Sequence, residues 1–499
     1  NMSLFSRKKS LDLLLAQAGD SEKGLKRTLG AGNLVALGIG AIIGAGLFVR
    51  TAAAAGQAAG PAVTLSFIIA AVGCAFAGLC YAEFAAMIPI SGSAYAYSYV
   101  TMGETIAWII GWALIMEYAL GAATVSIAWS EYLNKLLGGA VPYEWCHSPL
   151  ESYTDSAGVL HQGIMNAPAL VILLLLTLLL IKGTQESAMV NAIIVFIKVA
   201  IVILFIGIGW QFIKPENHTP YMIPEGTKPV LDAAGAELVN YDGFFKHGLG
   251  GVLGGAAIVF FAFIGFDAVS TAAQEAKNPK RDMPIGILGS LVVCTILYIL
   301  FGHVLTGVAN WQDFVDPEKG REASVAYAIS NYMVGYEWLA TAVTVAILAG
   351  FSSVILVMLM GQSRIFYSMS NDGLIPKAFG ELHPKYQTPY KANLILFVFV
   401  GAFAAFVPGH VAGDLTSFGT LFAFVLVSLG VWIMRRENPD MPRPFKTPLV
   451  PVVPILGAVI CLGMIAAIDL RTLKFAMIWM LIGLVVYFLY SKKRSKLNS

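Results

Sequence analysis

Long apolar segments dominate this 499-residue chain and constrain its fold more than any other feature. Each is about twenty residues long, the length at which a helix crosses a hydrocarbon layer of roughly 30 Å. Hydrophobic residues make up 57% of the sequence and charged residues 12%, a composition typical of membrane proteins. We therefore predict an all-α integral membrane protein with 12 transmembrane helices, named spans 1 to 12: 33–55, 61–88, 106–131, 167–182, 188–212, 248–273, 285–308, 338–370, 392–408, 413–434, 449–468 and 473–490.

The distribution of Lys and Arg predicts the orientation of the chain. With the N-terminus inside, 22 of the 32 basic residues lie on the inner side, nine lie on the outer side, and Lys198 lies within span 5. Positive charges accumulate on cytoplasmic loops, so both termini are expected in the cytoplasm. The polar start of the chain and the long, glycine-rich span 1 argue against a cleavable signal peptide. We expect a multi-pass protein of the plasma (inner) membrane.

Several classes of protein are disfavoured by what the sequence contains. A net charge of +2 gives no reason to expect a nucleic-acid partner. Four of the five cysteines lie inside spans, so we expect neither a disulfide framework nor a metal site. Catalytic motifs such as HExxH and GxSxG, and the phosphate-binding GxxxxGK[ST], are missing from the sequence. We therefore expect neither an enzyme nor an ATP-driven pump, and no cofactor.

Span 1 contains the segment GIGAIIGAG at 38–46, with four glycines in nine residues. Each costs a helix interior about 1 kcal/mol relative to Ala. One interpretation is close packing, because Gly40 and Gly44 form a GxxxG pair. The other is that the helix unwinds and exposes backbone groups, which is tolerated in a membrane only where they line a cavity or are covered by protein.

Span 6, five spans later, is the second glycine-rich helix, with GLGGVLGG followed by FFAFIGFD. Two interrupted helices at corresponding positions predict an inverted repeat of five plus five helices, with a binding site at the two breaks. A zwitterionic amino acid suits such a site, because helix N-termini attract carboxylates and free carbonyls attract ammonium groups. The backbone N–H groups expected to face the carboxylate are those of Gly44, Ala45 and Gly46. The carbonyls expected to face the ammonium are those of Ile42, Phe261, Ala262 and Ile264.

Four segments carry a resemblance to a known family: GIGAIIGAGLF, YAEFAAMIPISGSAYAYSYV, FFAFIGFDAVSTAAQEAKNPKRDMPIGI and GQSRIFYSMSNDGLIP. Together they resemble the amino acid–polyamine–organocation (APC) superfamily, in its bacterial branch related to the cationic amino-acid transporters. The resemblance implies a fold of the leucine-transporter (LeuT) type with broken helices 1 and 6, alternating access, and a site between helices 1, 3, 6 and 8. The organisation it implies is a cytoplasmic segment 1–32, repeats at 33–212 and 248–434, helices 11 and 12 at 449–490, and a cytoplasmic tail 491–499.

The resemblance also assigns roles to some positions and shows departures at others. The Phe261 ring would be the outer lid of the site. Relatives often carry Thr or Ser where this chain has Ala45, so a hydroxyl contact to the carboxylate is missing. Asn371 replaces a usual Arg, and the pair Gln274–Glu275 replaces a usual Glu–Glu pair, which leaves the polar contacts of the inner gate open.

Two ionisable residues lie deep within spans and are therefore functional candidates. In proton-coupled members of the superfamily a Lys on helix 5 stands in for a sodium ion, so the resemblance implies proton coupling through Lys198; the alternative is a structural salt bridge. The resemblance also implies that Glu117 of span 3 lies beside the break in span 6 and contributes to coupling; on physical grounds alone, it would equally cap exposed backbone N–H groups of that break. Asp267, just after that break, would brace the break or the inner gate.

Span 8 contributes the residue expected to select the substrate. By resemblance Phe351 faces the substrate side chain, and its ring favours small or medium neutral amino acids over arginine and lysine; core packing is the alternative. Ser352 and Ser353 lie where sodium-coupled relatives place hydroxyl ligands, although serines inside helices also bond to their own backbone.

We therefore predict a secondary active amino-acid transporter, a proton-coupled symporter of small or medium neutral L-amino acids that works by alternating access. The alternatives are an amino-acid exchanger, cationic amino-acid uptake, and a sensor that binds without transporting. The expected partners are the amino-acid substrate, protons, membrane lipids and a small accessory membrane subunit.

Overall fold

The computed structural model describes residues 7–19, 25, 27–44, 46–319 and 324–498, and this part of the chain is mostly helical. Within it, 8 helical runs are long and apolar enough to cross a membrane, and one of them, Ala31–Met87, covers both span 1 and span 2. Shorter apolar helices occupy the predicted spans 4, 9 and 11. The expectation of a mainly helical, multi-pass membrane protein is confirmed.

The helical bounds follow the predicted spans within seven residues, and spans 1 and 6 are built from several pieces. Span 1 comprises Ala31–Ile42, the π-helical Gly46–Arg50, Thr51–Ala54, the π-helical Ala55–Ala59 and the 3₁₀-helical Gly60–Ala62. Spans 2 to 5 are Val63–Met87, Glu104–Leu136, Ala167–Lys182 and Thr184–Gly209. Span 6 comprises Gly248–Val259 and the 3₁₀-helical Phe260–Phe263 and Phe266–Glu275. Spans 7 to 12 are Pro279–Val308, Glu337–Asn371, Tyr390–Phe406, Gly409–Glu437, Val452–Ala466 and Leu470–Val486.

Short elements connect the spans. Four further α-helices are Leu11–Gly19, Ser93–Thr101, Ser324–Tyr332 and Lys492–Arg494. Two antiparallel hairpins lie in the long loops after spans 3 and 5: β1 (Ser152–Thr154) with β2 (Leu160–Gln162), and β3 (Val230–Leu231) with β4 (Glu237–Val239). Ser152 pairs with Gln162, and Val230 pairs with Val239.

Glycine and proline set the ends of several spans. Span 3 begins directly after Gly103, whose φ of +98° is a conformation that favours glycine. Span 7 begins with Pro279, and a proline in the first helical turn removes only an N–H that would have had no intrahelical partner. These residues fix where the spans start without a side-chain cap.

Burial divides the bundle into an inner and an outer set of spans. Span 3 packs on spans 8 and 10, and span 7 packs on spans 1 and 2, so these helices form the interior. Spans 4 and 5 instead expose large apolar side chains, such as Phe196, which is 78% exposed, and Leu175, which is 57% exposed. An exposed apolar surface of this extent is what contact with lipid requires.

Both ends of the chain lie at one end of the bundle, here called the terminal face. Arg7 Nη2 donates to Asn498 Oδ1 at 2.7 Å, and Lys496 N donates to Asp372 O at 3.1 Å. Lys9 forms a buried ion pair with the side chain of the same Asp372. The two hairpins lie at the other end of the spans, here called the opposite face.

Candidate functional site

Span 1 is interrupted inside the glycine cluster. Its first helix ends at Ile42, and the following Ile43 adopts an extended conformation with φ −78° and ψ 112°. Ala45 lies outside the described residues. The chain becomes helical again at Gly46, and the carbonyl of Gly44 accepts hydrogen bonds from the N–H groups of Leu47 (3.1 Å) and Phe48 (3.0 Å).

Span 6 is interrupted at a corresponding place. The 3₁₀-helix Phe260–Phe263 ends at Ile264, which is extended, and Gly265 follows with a φ of +130°. A side chain at that φ is strained, so glycine is the residue that permits the break. The carbonyl of Phe261 accepts a 3.3 Å hydrogen bond from the Ile264 N–H, and the chain continues as the 3₁₀-helix Phe266–Glu275.

The two breaks lie against each other, backbone to backbone. A Cβ atom at Gly46 would lie 2.2 Å from Ala262 Cα, and one at Gly265 would lie 2.7 Å from the carbonyl carbon of Ala41. No side chain fits at either distance. The glycines therefore allow spans 1 and 6 to approach each other at the interrupted segments.

Other glycines of the cluster contact neighbouring spans. A Cβ at Gly40 would lie 2.2 Å from Asn191 Oδ1 of span 5, and one at Gly44 would lie 2.4 Å from Val354 Cγ2 of span 8. Close packing and the interruption of the helix therefore occur in the same segment, and the two interpretations of the cluster are not exclusive.

A tyrosine of span 7 joins the two breaks. The Tyr298 hydroxyl lies 2.7 Å from the carbonyl oxygen of Ile42 and 2.6 Å from that of Ala262, and the side chain is fully buried. A hydroxyl has one hydrogen, so it donates to one of these carbonyls at a time. The sequence reasoning did not single out Tyr298, although a hydroxyl inside an apolar helix signals a buried hydrogen-bond partner.

Lys198 of span 5 reaches the break in span 1. Its ammonium donates to the carbonyls of Gly40 (3.0 Å) and Ile43 (2.7 Å) and to Ser353 Oγ (2.8 Å). Three acceptors match the three donors of an ammonium group. All three acceptors are neutral oxygens, and the ion pairs found in the described part of the chain do not include Lys198.

The two adjacent serines of span 8 behave differently. Ser353 Oγ lies between Lys198 and the Gly40 carbonyl, to which it donates at 3.1 Å. Ser352 Oγ donates to the Leu348 carbonyl of its own helix at 2.9 Å. The hydroxyl of Ser353 therefore contacts both Lys198 and the break in span 1, whereas the Ser352 hydroxyl bonds within its own helix.

Glu117 of span 3 is fully buried, and neither carboxyl oxygen has a hydrogen-bond partner among the described residues. Its neighbours are the Asp267 carboxyl and the Thr420 hydroxyl. The alternative in which Glu117 caps backbone N–H groups of the break is therefore wrong. The side chain that braces the break is Asp267, whose Oδ1 accepts from Gly265 N (3.3 Å) and whose Oδ2 accepts from the Tyr118 hydroxyl (3.0 Å).

Aromatic rings cover the breaks on the side of the opposite face. Phe351 is fully buried, with ring centroids 6.0 Å from Phe48 and 5.4 Å from Tyr132. Phe48 also contacts the Phe301 ring at 5.7 Å. Phe261 is 6% exposed and makes no ring contact in the described part of the chain. Phe351, Phe48, Tyr132 and Phe301 thus form one cluster of rings, here called the aromatic wall, and Phe261 is not part of it.

Polar contacts cover the two breaks on the side of the terminal face. Gln274 Oε1 accepts from the Ser91 N–H at 3.1 Å, and Ser91 Oγ accepts from the Gln274 N–H at 3.4 Å. Glu275 and Arg364 form a buried ion pair at 3.1 Å. Gln274 and Glu275, the pair that departs from the resembled pattern, therefore both make polar contacts here.

The apolar helical bundle buries two interrupted helices against each other, and the Lys198 ammonium binds at one of the breaks, which is the arrangement expected of a membrane transporter. The chain belongs to the amino acid permease family, whose model matches residues 29–489. It is similar to the branched-chain amino acid permease BcaP of Bacillus subtilis (strain 168), with 43% identity over 99% of both chains. It is also similar to the methylthioribose transporter of the same organism, with 40% identity over 100% of both chains.

A more distant similarity connects the chain to eukaryotic transporters. Cationic amino acid transporter 4, vacuolar, of Arabidopsis thaliana is 33% identical over 88% of this chain and 68% of its own length. The predicted relationship to permeases of the APC superfamily and to the cationic amino-acid transporters is confirmed. The chain is a transporter and not an enzyme.

Proposed function

We propose that this transporter is a proton-coupled symporter of small or medium neutral L-amino acids that works by alternating access. The observation that carries the proposal is the binding of the Lys198 ammonium to Gly40 O, Ile43 O and Ser353 Oγ. A cationic side chain at the break supplies there the positive charge that a metal cation would otherwise supply. A neutral amine has two donors, so loss of the proton removes at least one of the three hydrogen bonds that Lys198 donates to spans 1 and 8.

We further propose that 12 spans cross the membrane as two inverted repeats, 33–212 and 248–434, followed by spans 11 and 12 at 449–490. The two breaks, which lie in the first span of each repeat, support this organisation. Both termini would be in the cytoplasm, so the terminal face would be the inner side of the plasma membrane. The excess of Lys and Arg in the loops of that face supports this orientation.

The substrate would bind at the two breaks. Backbone N–H groups at the start of the second half of span 1 attract its carboxylate, because helix N-termini carry a partial positive charge. The carbonyls of Ile42 and Ala262, which share the single hydrogen of Tyr298, would receive the substrate ammonium. The residues of the proposed site are Ile42, Gly44, Ala45, Gly46, Phe261, Ala262, Ile264 and Phe351, with Phe261 also acting as the lid.

Side-chain selection would depend on the aromatic wall. Phe351 is held between Phe48 and Tyr132, so its ring has little freedom to make room for a long side chain. This restriction favours small or medium neutral amino acids over arginine. The name of the relative BcaP, a branched-chain amino acid permease, supports leucine, isoleucine and valine as the first substrates to test.

Lys198 and Glu117 would both take part in proton coupling. Glu117 and Asp267 are buried side by side, and two neighbouring carboxyl groups resist carrying two negative charges at once. A proton held by this pair would thus be linked to the geometry of the break in span 6, which Asp267 braces. We also propose a small accessory membrane subunit, for which the resemblance is the sole support.

Uptake into proteoliposomes tests the proposal. The purified protein would be assayed with radiolabelled leucine and alanine, with and without an inward proton gradient, and with arginine and methylthioribose as competitors. We expect proton-driven accumulation that is independent of sodium, with little competition by arginine. Displacement of alanine by arginine would instead favour cationic amino-acid uptake, and displacement by methylthioribose alone would favour a substrate of that chemistry.

Two further outcomes correspond to the other hypotheses. An exchanger would show counterflow but no accumulation driven by protons alone. A sensor would bind amino acids, detected as a rise in melting temperature because ligands stabilise the native state, and would show no uptake.

A further inference from the structure

A column of buried hydroxyl groups begins beside the Glu117–Asp267 pair. Tyr81 of span 2 is the first member, and its ring centroid lies 6.1 Å from that of Phe266, the residue directly before Asp267. Tyr97, in the short helix after span 2, follows, with its ring centroid 6.3 Å from that of Tyr81. Both tyrosines are 1% exposed or less, and neither hydroxyl has a hydrogen-bond partner in the described part of the chain.

The column continues towards the terminal face through two serines. Tyr97 lies beside Ser270, whose Oγ is 2.7 Å from Ser93 Oγ and also within hydrogen-bond distance of the Asp267 carbonyl oxygen, so its single hydrogen goes to one of the two at a time. Ser93 has a φ of +52°, a strained conformation for a residue other than glycine, and such strain is often retained at functional positions. The half-buried Gln274, which bonds to Ser91, ends the column at the terminal face.

Unpartnered oxygens are concentrated at the start of this column. Both oxygens of Glu117 and the hydroxyls of Tyr81 and Tyr97 are buried without hydrogen bonds in the described residues. Leaving buried polar atoms without partners is costly, and ordered water commonly satisfies such groups. A hydroxyl both donates and accepts, so a row of hydroxyls joined by water can pass protons along its length.

We propose that Tyr81, Tyr97, Ser270 and Ser93, joined by bound water, form a proton relay between the Glu117–Asp267 pair and the terminal face. The inference rests on the proton coupling proposed above. Each hydroxyl accepts one proton from one side as it releases its own proton to the other. No member of the relay keeps a charge, and the net result is the movement of one proton between the carboxyl pair and water at the terminal face.

The surrounding ionisable groups are compatible with this path. Tyr118 donates to Asp267 and holds it in place. Cys74 of span 2 and Cys461 of span 11 are buried in the same part of the bundle. Thiols are weak hydrogen-bond donors and acceptors, so neither competes strongly with the hydroxyls. Lys198 binds at the break in span 1 and not in the column.

The test removes single hydroxyls and keeps the rings. Tyr81→Phe preserves the ring contacts with Phe266 and Phe424, and Tyr97→Phe preserves the stacking on Phe84 at 4.9 Å. In proteoliposomes containing a pH-sensitive dye, we expect each variant to slow leucine-driven proton entry at least about tenfold, because positioned proton-transfer groups commonly contribute that much or more. Counterflow of leucine, which needs no net proton movement, should keep its wild-type rate.

Tyr241→Phe is the matched control. Tyr241 is equally buried but lies in the loop after span 5, at the opposite face, where its hydroxyl donates to the Gly56 carbonyl of span 1. It should not slow proton entry. Wild-type-like proton entry in both Tyr81→Phe and Tyr97→Phe would overturn the relay and leave the proton coupling standing. An equal loss of counterflow and proton entry would also overturn it, because the hydroxyls would then be structural. Wild-type protein that moves leucine without protons would overturn the relay together with the proposed coupling.

Discussion

Lys198 and Glu117 are both fully buried beside the interrupted helices, yet their surroundings are opposite. The ammonium of Lys198 has three acceptors, contributed by spans 1 and 8, whereas the Glu117 carboxyl has no hydrogen-bond partner in the described residues. The Lys198 ammonium therefore links span 5 to spans 1 and 8 through three hydrogen bonds. Glu117 instead lies beside the Asp267 carboxyl and the Thr420 hydroxyl, so its surroundings do not compensate a negative charge.

The break in span 1 explains why Lys198 is satisfied. In a continuous α-helix the Ile43 carbonyl would accept from the N–H of Leu47, but this N–H bonds to Gly44 O instead. The freed Ile43 carbonyl accepts from Lys198. The glycine cluster thus supplies the acceptor that allows an ammonium group to lie this deep in the bundle.

The largest effect is expected for Lys198→Met, which keeps the apolar length of the side chain. The Ile43 carbonyl loses the donor that Lys198 supplies, whereas the Gly40 carbonyl keeps the Ser353 hydroxyl. A buried acceptor left without a partner costs about 1–3 kcal/mol. We expect proton-driven uptake to fall by roughly a hundredfold or more, equivalent to about 2.7 kcal/mol of activation free energy. The melting temperature should fall as well. Uptake at the wild-type rate with an unchanged pH dependence would remove Lys198 from coupling.

Gly46→Val tests whether the close approach of the two breaks is needed. A Cβ at Gly46 would meet the backbone of Ala262 at 2.2 Å, and this backbone cannot move without displacing span 6. We expect the variant to lose the rise in melting temperature that substrate produces. Gly40→Val is the comparison within the same cluster, because its Cβ would meet the side chain of Asn191 in span 5 and not the backbone of span 6. Greater sensitivity at Gly40 would indicate that the cluster serves helix packing alone.

Glu117→Gln should separate function from stability and so sharpen the contrast with Lys198. The substitution is nearly isosteric and removes no hydrogen bond of the described structure. We expect accumulation of substrate to fall about tenfold or more, as is common when a proton-transfer group is removed. Counterflow and the melting temperature should stay near the wild-type values. A large drop in melting temperature would show that the Glu117 carboxyl stabilises the fold.

The features predicted from the sequence were those that depend on single segments. The spans follow from their apolar length, and the interruptions follow from glycine clusters in segments that would otherwise form continuous helices. The partners of Lys198 and Glu117 could not be predicted in this way, because they depend on how spans distant in sequence are rotated towards each other. Tyr298 illustrates this limit: its hydroxyl was visible in span 7, but its two carbonyl partners lie 256 and 36 residues away.

The smallest effect is expected for Ser353→Ala. The variant removes one of the three acceptors of Lys198 and leaves the carbonyls of Gly40 and Ile43 in place. A hydrogen bond to a charged group contributes about 1.5–3 kcal/mol, so we expect the rate of uptake to fall about tenfold and its dependence on pH to change. Ser352→Ala is the adjacent control, since its hydroxyl bonds only within its own helix, to Leu348 O. Equal effects of the two variants would mean that Lys198 acts through the break in span 1 alone, without span 8.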